Sequence, residues 1–249
     1  MKYNFANNCM TNVNPYQDLW NLAKFYSVIN TDCTITNPNN MGIMPLSQNT
    51  PVNPVMSVNP IPSPDPACIS RAQLELSNLM RMLWEQHIVW TVFAIKSIIE
   101  GSPYTDLVVK RLLRNPKDFE AALRPIYGSE KAAKFSDLLT QHLVIASELV
   151  KAAKAGDTNA ANDAEKRWFA NADEIAAFLA SINPYWSMDE WKQMLYEHLR
   201  LTKTEALLWL NSDYEKAINI LDDIERQALG MADMMTEGII RQFPNMFRY

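Results

Sequence analysis

The chain has 249 residues and a mass of 28.5 kDa, and its 48% hydrophobic content is enough to bury a sizeable core. The net charge is −5, with Lys and Arg interspersed among Asp and Glu, so the concentrated basic surface that phosphate binding needs is missing and nucleic acid is excluded as a partner. The most apolar stretch, Ile88 to Ile99, contains Lys96 and falls far short of the roughly 20 residues of a membrane span, so it reads as a buried helix.

Residues 1–10 (MKYNFANNCM) carry no apolar region with a cleavage site. The expected location is therefore cytoplasmic, or associated with a spore or cell envelope without a classical signal peptide. Cys9, Cys33 and Cys68 have no CxxC spacing and are odd in number, which argues against a zinc knuckle and a disulfide framework. Residues 1–67 are rich in Asn and Pro, as in TNPNN (Thr36–Asn40) and VNPIPSPDP (Val58–Pro66), and repeated prolines exclude long helices and strands there. This segment is expected to be a largely irregular arm. Within it, residues 16–29 (YQDLWNLAKFYSVI) have enough apolar surface for a short amphipathic helix that docks on a partner or on the body.

From Cys68 the pattern changes to long helical periods, and a bundle domain is expected over 68–245. Ser70-x-x-Gln73 is a capping box for a first helix with the stripe Leu76, Met80, Leu83, His87, Trp90, Ala94, stopped near Gly101-Ser102-Pro103. Shorter helices are predicted over Tyr104–Arg114 and, with Asn115 as cap and Pro116 at the first position, over Pro116–Ile126. A helix from Ser129 to Ala155 ends at Gly156, and the next runs from about Asp157 to Ile182 before Asn183-Pro184. Ser187-x-x-Glu190 caps a helix reaching Leu210, and Ser212-x-x-Glu215 caps a last one reaching about Phe243. No alternating run marks a strand in this body, so the fold class is all-α.

Three segments share one frame. His87, His142 and His198 stand fourteen residues before Gly101, Gly156 and Ser212, and on the returning helices Asp173 and Asp233 each stand eleven residues before a proline. This pattern describes three related helical hairpins that each expose an apolar face and pack as an up-and-down bundle.

The repeat singles out the only three histidines. A hairpin brings residues equally far from its turn to the same height, so Asp173 is expected to face His142, and Asp233 to face His198, with Asp118 the weaker counterpart for His87. Such pairs fit either a divalent-metal site formed by His87, His142, His198, Asp173 and Asp233, with Glu85, Gln86, Gln141 and Glu197 nearby, or buried hydrogen bonds that fix hairpin register. The Glu-x-x-His signature of di-iron bundles is absent, since Trp84, Leu139 and Leu195 precede the histidines by three. No cofactor is required by the sequence.

Other chemistry has a packing alternative. Trp84, Trp90, Trp168, Trp186, Trp191 and Trp209 fit core packing as well as an aromatic pocket, and Met231, Met234 and Met235 fit core filling as well as a soft-metal face. Lys110, Arg111 and Arg114 on a short helix could hold an anion or simply be solvated. With six glycines in the chain, there is no Gly-rich phosphate loop and no GxSxG elbow.

The segments LWEQH (Leu83–His87), LLRNPKDFEAALRPIYG (Leu112–Gly128), ANADEIAAFL (Ala170–Leu179) with INPYW (Ile182–Trp186), and MLYEHL (Met194–Leu199) with LTKTEA (Leu201–Ala206) resemble an uncharacterised family of all-helical proteins from spore-forming Firmicutes. The resemblance covers roughly Cys68 to Pro244 and implies a helical fold without assigned catalytic residues. Some members carry an acetylglutamate kinase label, but an amino-acid kinase needs an α/β sandwich with Gly-rich nucleotide loops, and this chain offers neither strands nor the glycines. The expected role is a non-enzymatic structural or interaction protein that meets protein partners or assembles with itself through its arm. A bundle that binds a metal or small cofactor at the repeated His and Asp positions is the alternative.

Overall fold

The computed structural model describes residues 69–248, and no strand forms among them. The arm, its amphipathic segment and the three cysteines lie outside the described residues.

Helix α1 (Arg71–Glu100) starts at the expected box: the Ser70 hydroxyl accepts from the Gln73 amide at 3.1 Å, and the Gln73 side chain accepts from the Ser70 amide at 3.0 Å. The same hydroxyl donates to the Phe247 carbonyl at 2.6 Å, tying the start of α1 to the final 3-10 turn, Pro244–Phe247. The short α2 (Thr105–Leu112) follows. Next come α3 (Asn115–Ala155) and α4 (Thr158–Ile182), the latter capped by the Asp157 carboxylate on the Ala160 amide. Helix α5 (Met188–Leu210) is capped by Ser187, and α6 (Tyr214–Asn219) and α7 (Leu221–Gln242) complete the chain.

Three of the expected elements have different boundaries. Helix α3 joins what the sequence separates into 116–126 and 129–155, and the discontinuity survives inside it, because Gly128 sits at φ 81°, ψ 167°, outside helical space. The return limb of the first hairpin and the outgoing limb of the second are therefore one interrupted rod. The last helix, expected to be one piece capped by Ser212, is instead the two rods α6 and α7, and Ser212 forms no cap. It takes the left-handed φ of 58° in the place where the earlier hairpins have Gly101 at 70° and Gly156 at 73°. The repeat frame, which puts Ser212 at a helix end, outweighs the local capping motif.

The outgoing limbs are α1, residues 129–155 of α3, and α5; the return limbs are residues 115–127 of α3, α4 and α7. Helix α3 packs most extensively on α4, and α7 comes back against α1 to close the bundle. The core between them is fully buried at Met80, Leu83, Phe119, Phe135, Leu179, Trp191, Met231 and Met235. Trp84, Phe119 and Phe135 form an edge-to-face ladder at centroid distances of 5.4 and 5.7 Å, a geometry favoured by the ring quadrupoles.

One glycine of α7 makes room for the connection between α4 and α5. Trp186 in that connection points its indole N–H at α7 and donates to the Met234 carbonyl at 3.1 Å, so a Cβ on Gly238 would stand 1.9 Å from the indole nitrogen. At Gly230 on the same helix, an added Cβ would meet only the Met194 methyl at 3.7 Å, an ordinary contact. Gly238→Ala is therefore expected to destabilise the protein by about 1–3 kcal/mol through overpacking, whereas Gly230→Ala should stabilise it by roughly 0.5–1 kcal/mol through helix propensity. Paired urea denaturation curves measure both, and a Gly238→Ala protein as stable as the parent would contradict this packing.

Candidate functional site

The three histidines are buried and come together. Their rings line one small void with Trp84, Phe135, Leu139, Ile175, Leu179, Trp191 and Leu195, and the His87 and His198 centroids are 5.6 Å apart. The void holds about 10 Å³, room for at most a single water. The outgoing limbs α1, α3 and α5 each contribute one imidazole to this layer.

The side chains that hold the imidazoles are amides. Nδ1 of His87 is 3.2 Å from Asn115 Oδ1, Nδ1 of His142 is 2.9 Å from Asn171 Oδ1, and Nδ1 of His198 is 2.9 Å from Gln227 Oε1. Each amide then donates its NH₂ to the backbone carbonyl one turn before its histidine: Asn115 to Leu83 at 2.9 Å, Asn171 to Leu138 at 3.1 Å, Gln227 to Met194 at 2.8 Å. A carbonyl can only accept, so it fixes which end of the amide is nitrogen. The amide oxygen can only accept in turn, which places the imidazole proton on Nδ1 and the lone pair on Nε2. For His142 this lone pair accepts the Trp168 indole N–H at 3.1 Å, giving an unbroken chain from Trp168 through His142 and Asn171 to Leu138.

This arrangement corrects the expected His–carboxylate pairs. Asp173 stands two residues beyond Asn171, about 200° around the helix, and faces outward to Lys192 at 2.9 Å and the Tyr196 hydroxyl at 3.0 Å. Asp233 binds Arg81 at 2.6 Å on the surface. Asp118 pairs with Arg114 at 3.0 Å, and Asn115, expected to cap its helix, turns its side chain inward to His87. Of the five metal-site candidates, the structure thus brings together His87, His142 and His198 and leaves Asp173 and Asp233 outside. Among the described residues no group of three or more His, Cys, Asp or Glu side chains is placed to hold a metal ion.

The neighbouring candidates are engaged elsewhere. Gln86 accepts from Arg111 at 3.1 Å, Glu197 holds Arg200, Gln141 is exposed, and burial together with Glu225 raises the pKa of Glu85. Met231 and Met235 are core filler, and Arg111 lies over the Trp90 ring at 4.8 Å. No family model matches this chain, and neither a curated protein nor a solved structure does.

The signal for the amides was present in the repeat. Asn115, Asn171 and Gln227 are spaced 56 residues apart, and an Asn in the middle of an Ala-rich helix goes against propensity unless its side chain has a buried task. Replacing Asn171 by Ala would leave the His142 Nδ1–H buried without a partner and remove the second bond to the Leu138 carbonyl, at about 1–3 kcal/mol. Asp173→Asn removes only an exposed pair and should change stability by less than about 1 kcal/mol. Chemical denaturation of the two variants decides between the partners, and equal losses would contradict the amide assignment.

Burial sets the charge of the layer. Desolvation, then repulsion from His198 and His142, pushes His87 down to about 3 against the small opposing effect of Asn115. Desolvation and His198 take His142 to about 3, and desolvation takes His198 to about 4. All three are therefore neutral in the folded protein at ordinary pH. Below about pH 6.5 the unfolded chain gains protons that the fold excludes, so this stability is complete above that pH and is lost as the pH falls toward 3–4.

One acid in the bundle has the opposite sign. Glu205, buried on α5 with its carboxylate accepting the Trp209 indole N–H at 3.0 Å, is pushed up to about 7 by desolvation. Its unfolded form ionises near 4.5 while the folded form holds its proton to about 7, so its contribution is lost as the pH rises through that window. Three histidines outweigh one acid at up to about 1.4 kcal/mol per pH unit each. Melting temperature should climb between pH 4 and 6.5, and Glu205→Gln, which keeps the acceptor for Trp209, should raise it at pH 8 and leave it nearly unchanged at pH 4. A flat melting profile across this range would contradict the buried neutral imidazoles.

Proposed function

We propose that the protein is a non-enzymatic structural or interaction protein whose helical body presents an apolar patch to other chains, with residues 1–67 as a second contact segment. The observation that carries this reading is an aromatic and aliphatic surface where α1 meets α2. On α1, Val89 and Phe93 are exposed one turn apart, and Phe93 lies 5.8 Å from the half-buried Trp90 ring. Arg111 of α2 also lies over the Trp90 ring, and one turn before it Leu107 is 70% exposed.

Tyr104, also exposed, stands at the start of α2. Trp, Tyr and Arg beside uncovered aliphatic groups are the residue types that dominate the energetics of protein interfaces. Such uncovered groups support contact with another chain. In residues 1–67, the amphipathic run at 16–29 supplies a second apolar segment of helix-in-groove character. A place in spore or cell-envelope layers is supported by the resemblance of the 68–244 segments to proteins of spore-forming bacteria.

The test is the solution mass by light scattering, and the partners retained in pull-downs, for the full chain, for a protein lacking residues 1–67, and for Phe93→Glu with Leu107→Glu. Both side chains are already exposed, so stability should change by only about 0.5 kcal/mol per site. The deletion and the double substitution are each expected to lower the number of chains per particle, the measured mass divided by the chain mass, or to remove partners. If that number and the partners are the same in all three proteins, the reading fails.

A further inference from the structure

A cavity of about 170 Å³ lies beyond the histidine layer, framed by the same three outgoing limbs. Its lining follows the repeat. One turn after the histidines stand Thr91, Ala146 and Thr202, and one turn further stand Ile95, Val150 and Ala206; all six face this space. Ala94, Ile98, Leu143 and Ala153 add to an apolar wall, and Trp168, the donor to His142, belongs to that wall. Toward solvent, between α4 and α5, the rim carries Asn162, Leu207 and the ion pair of Glu165 with Lys203.

Two polar atoms in this wall lack hydrogen-bond partners. Thr91 and Thr202, 8% and 4% exposed, have hydroxyls with no partner among the described residues. Other helical threonines of the chain satisfy theirs on the carbonyl one turn back: Thr140 on Ser136 at 2.7 Å, Thr204 on Arg200 at 2.8 Å, Thr236 on Ala232 at 2.8 Å. Those of Thr91 and Thr202 do not, and the two residues line the cavity from two different helices. Buried hydroxyls without partners are costly, so turning each side chain about its Cα–Cβ bond toward a polar group in the cavity would satisfy both.

We propose that this cavity is a binding site for a small neutral molecule, a ring or short chain of about benzene size that bears one hydroxyl or carbonyl. Size follows from the volume, since an apolar protein cavity of roughly 150 Å³ accommodates benzene. Neutrality follows from the wall, whose charged residues are confined to the rim and neutralise each other. The single polar group follows from the two threonines: an alcohol or phenol O–H can donate to one hydroxyl and accept from the other, and a carbonyl oxygen can accept from both. The site is independent of the α1–α2 surface patch.

Phenol and benzene, titrated separately into the full chain carrying ¹³C-labelled Ile and Val methyls, test the proposal. Both probes should shift Ile95, Ile98 and Val150 to saturation, with phenol bound roughly 3- to 10-fold more tightly, the worth of about one hydrogen bond. Thr91→Val with Thr202→Val, nearly isosteric and free of unpaired hydroxyls, should keep benzene binding and lose the preference for phenol. Ala146→Leu should fill the space and abolish binding of both, and it serves as the control if the double variant does not fold. Absence of shifts at these three methyls, or equal shifts at the distant Ile175 and Ile239, would overturn the site. Equal affinity of the parent for the two probes would overturn the role of the threonines.

Discussion

Three neutral imidazoles sharing one buried layer at the centre of a bundle constrain everything built around them. Removing an imidazole from water is unfavourable for its polar edge and far more so for its charged form, so each ring has to enter with a partner already in place. An amide provides this better than a carboxylate would. It takes the Nδ1 proton without adding charge, and its own NH₂ reaches a backbone carbonyl on the outgoing helix, so no member of the chain is left unsatisfied at that end. Because the carbonyl belongs to the residue one turn before the histidine, the amide bridges two turns of one helix from the return limb. Sliding the hairpin by one residue would break both bonds, and register is therefore written into this contact.

Below that layer the three limbs stop being equivalent. Perfect repetition would place three like side chains at every level of the axis, and the histidine level keeps that rule. The next level reads Thr, Ala, Thr and the one after it Ile, Val, Ala, so bulk is missing on the α3 and α5 sides, and the cavity opens there. Glu205 belongs to the same departure, since its repeat counterparts are Ala94 and Leu149. A helix position that is aliphatic in two hairpins carries a carboxyl group in the third, close to an indole donor and protonated by burial.

Helix ends were legible in the sequence because their chemistry is local. Ser70, Gly101, Gly156, Asp157 and Ser187 each act within one turn of themselves, and each stands where its pattern places it. Ser212 was misread because a capping motif and a repeat position compete there, and only the repeat position reflects how the two limbs meet. The burial of the histidines was legible as well, from their shared place on an apolar stripe, whereas their convergence on one layer was not. Nor were their partners. Height in a hairpin can be counted along the chain, whereas rotation about a helix axis changes by about 100° per residue. An error of two positions thus turned an inward Asn171 into an outward Asp173.

Repetition also separates scaffold from specialisation in this molecule. What recurs in all three hairpins, the imidazole with its amide and carbonyl, is sufficiently explained by the need to hold each hairpin in register. What occurs once needs a separate reason. The indole of Trp168 on His142 and the pair of alanines at 146 and 206 have no counterparts in the other hairpins, whereas the short α2 with its outward Leu107 is echoed by α6 with its outward Ile218. Both unmatched features, Trp168 and the alanines, border the same cavity. Constraint in the repeated layer leaves these places free to differ, because a rigid register one turn away keeps an underfilled level from collapsing.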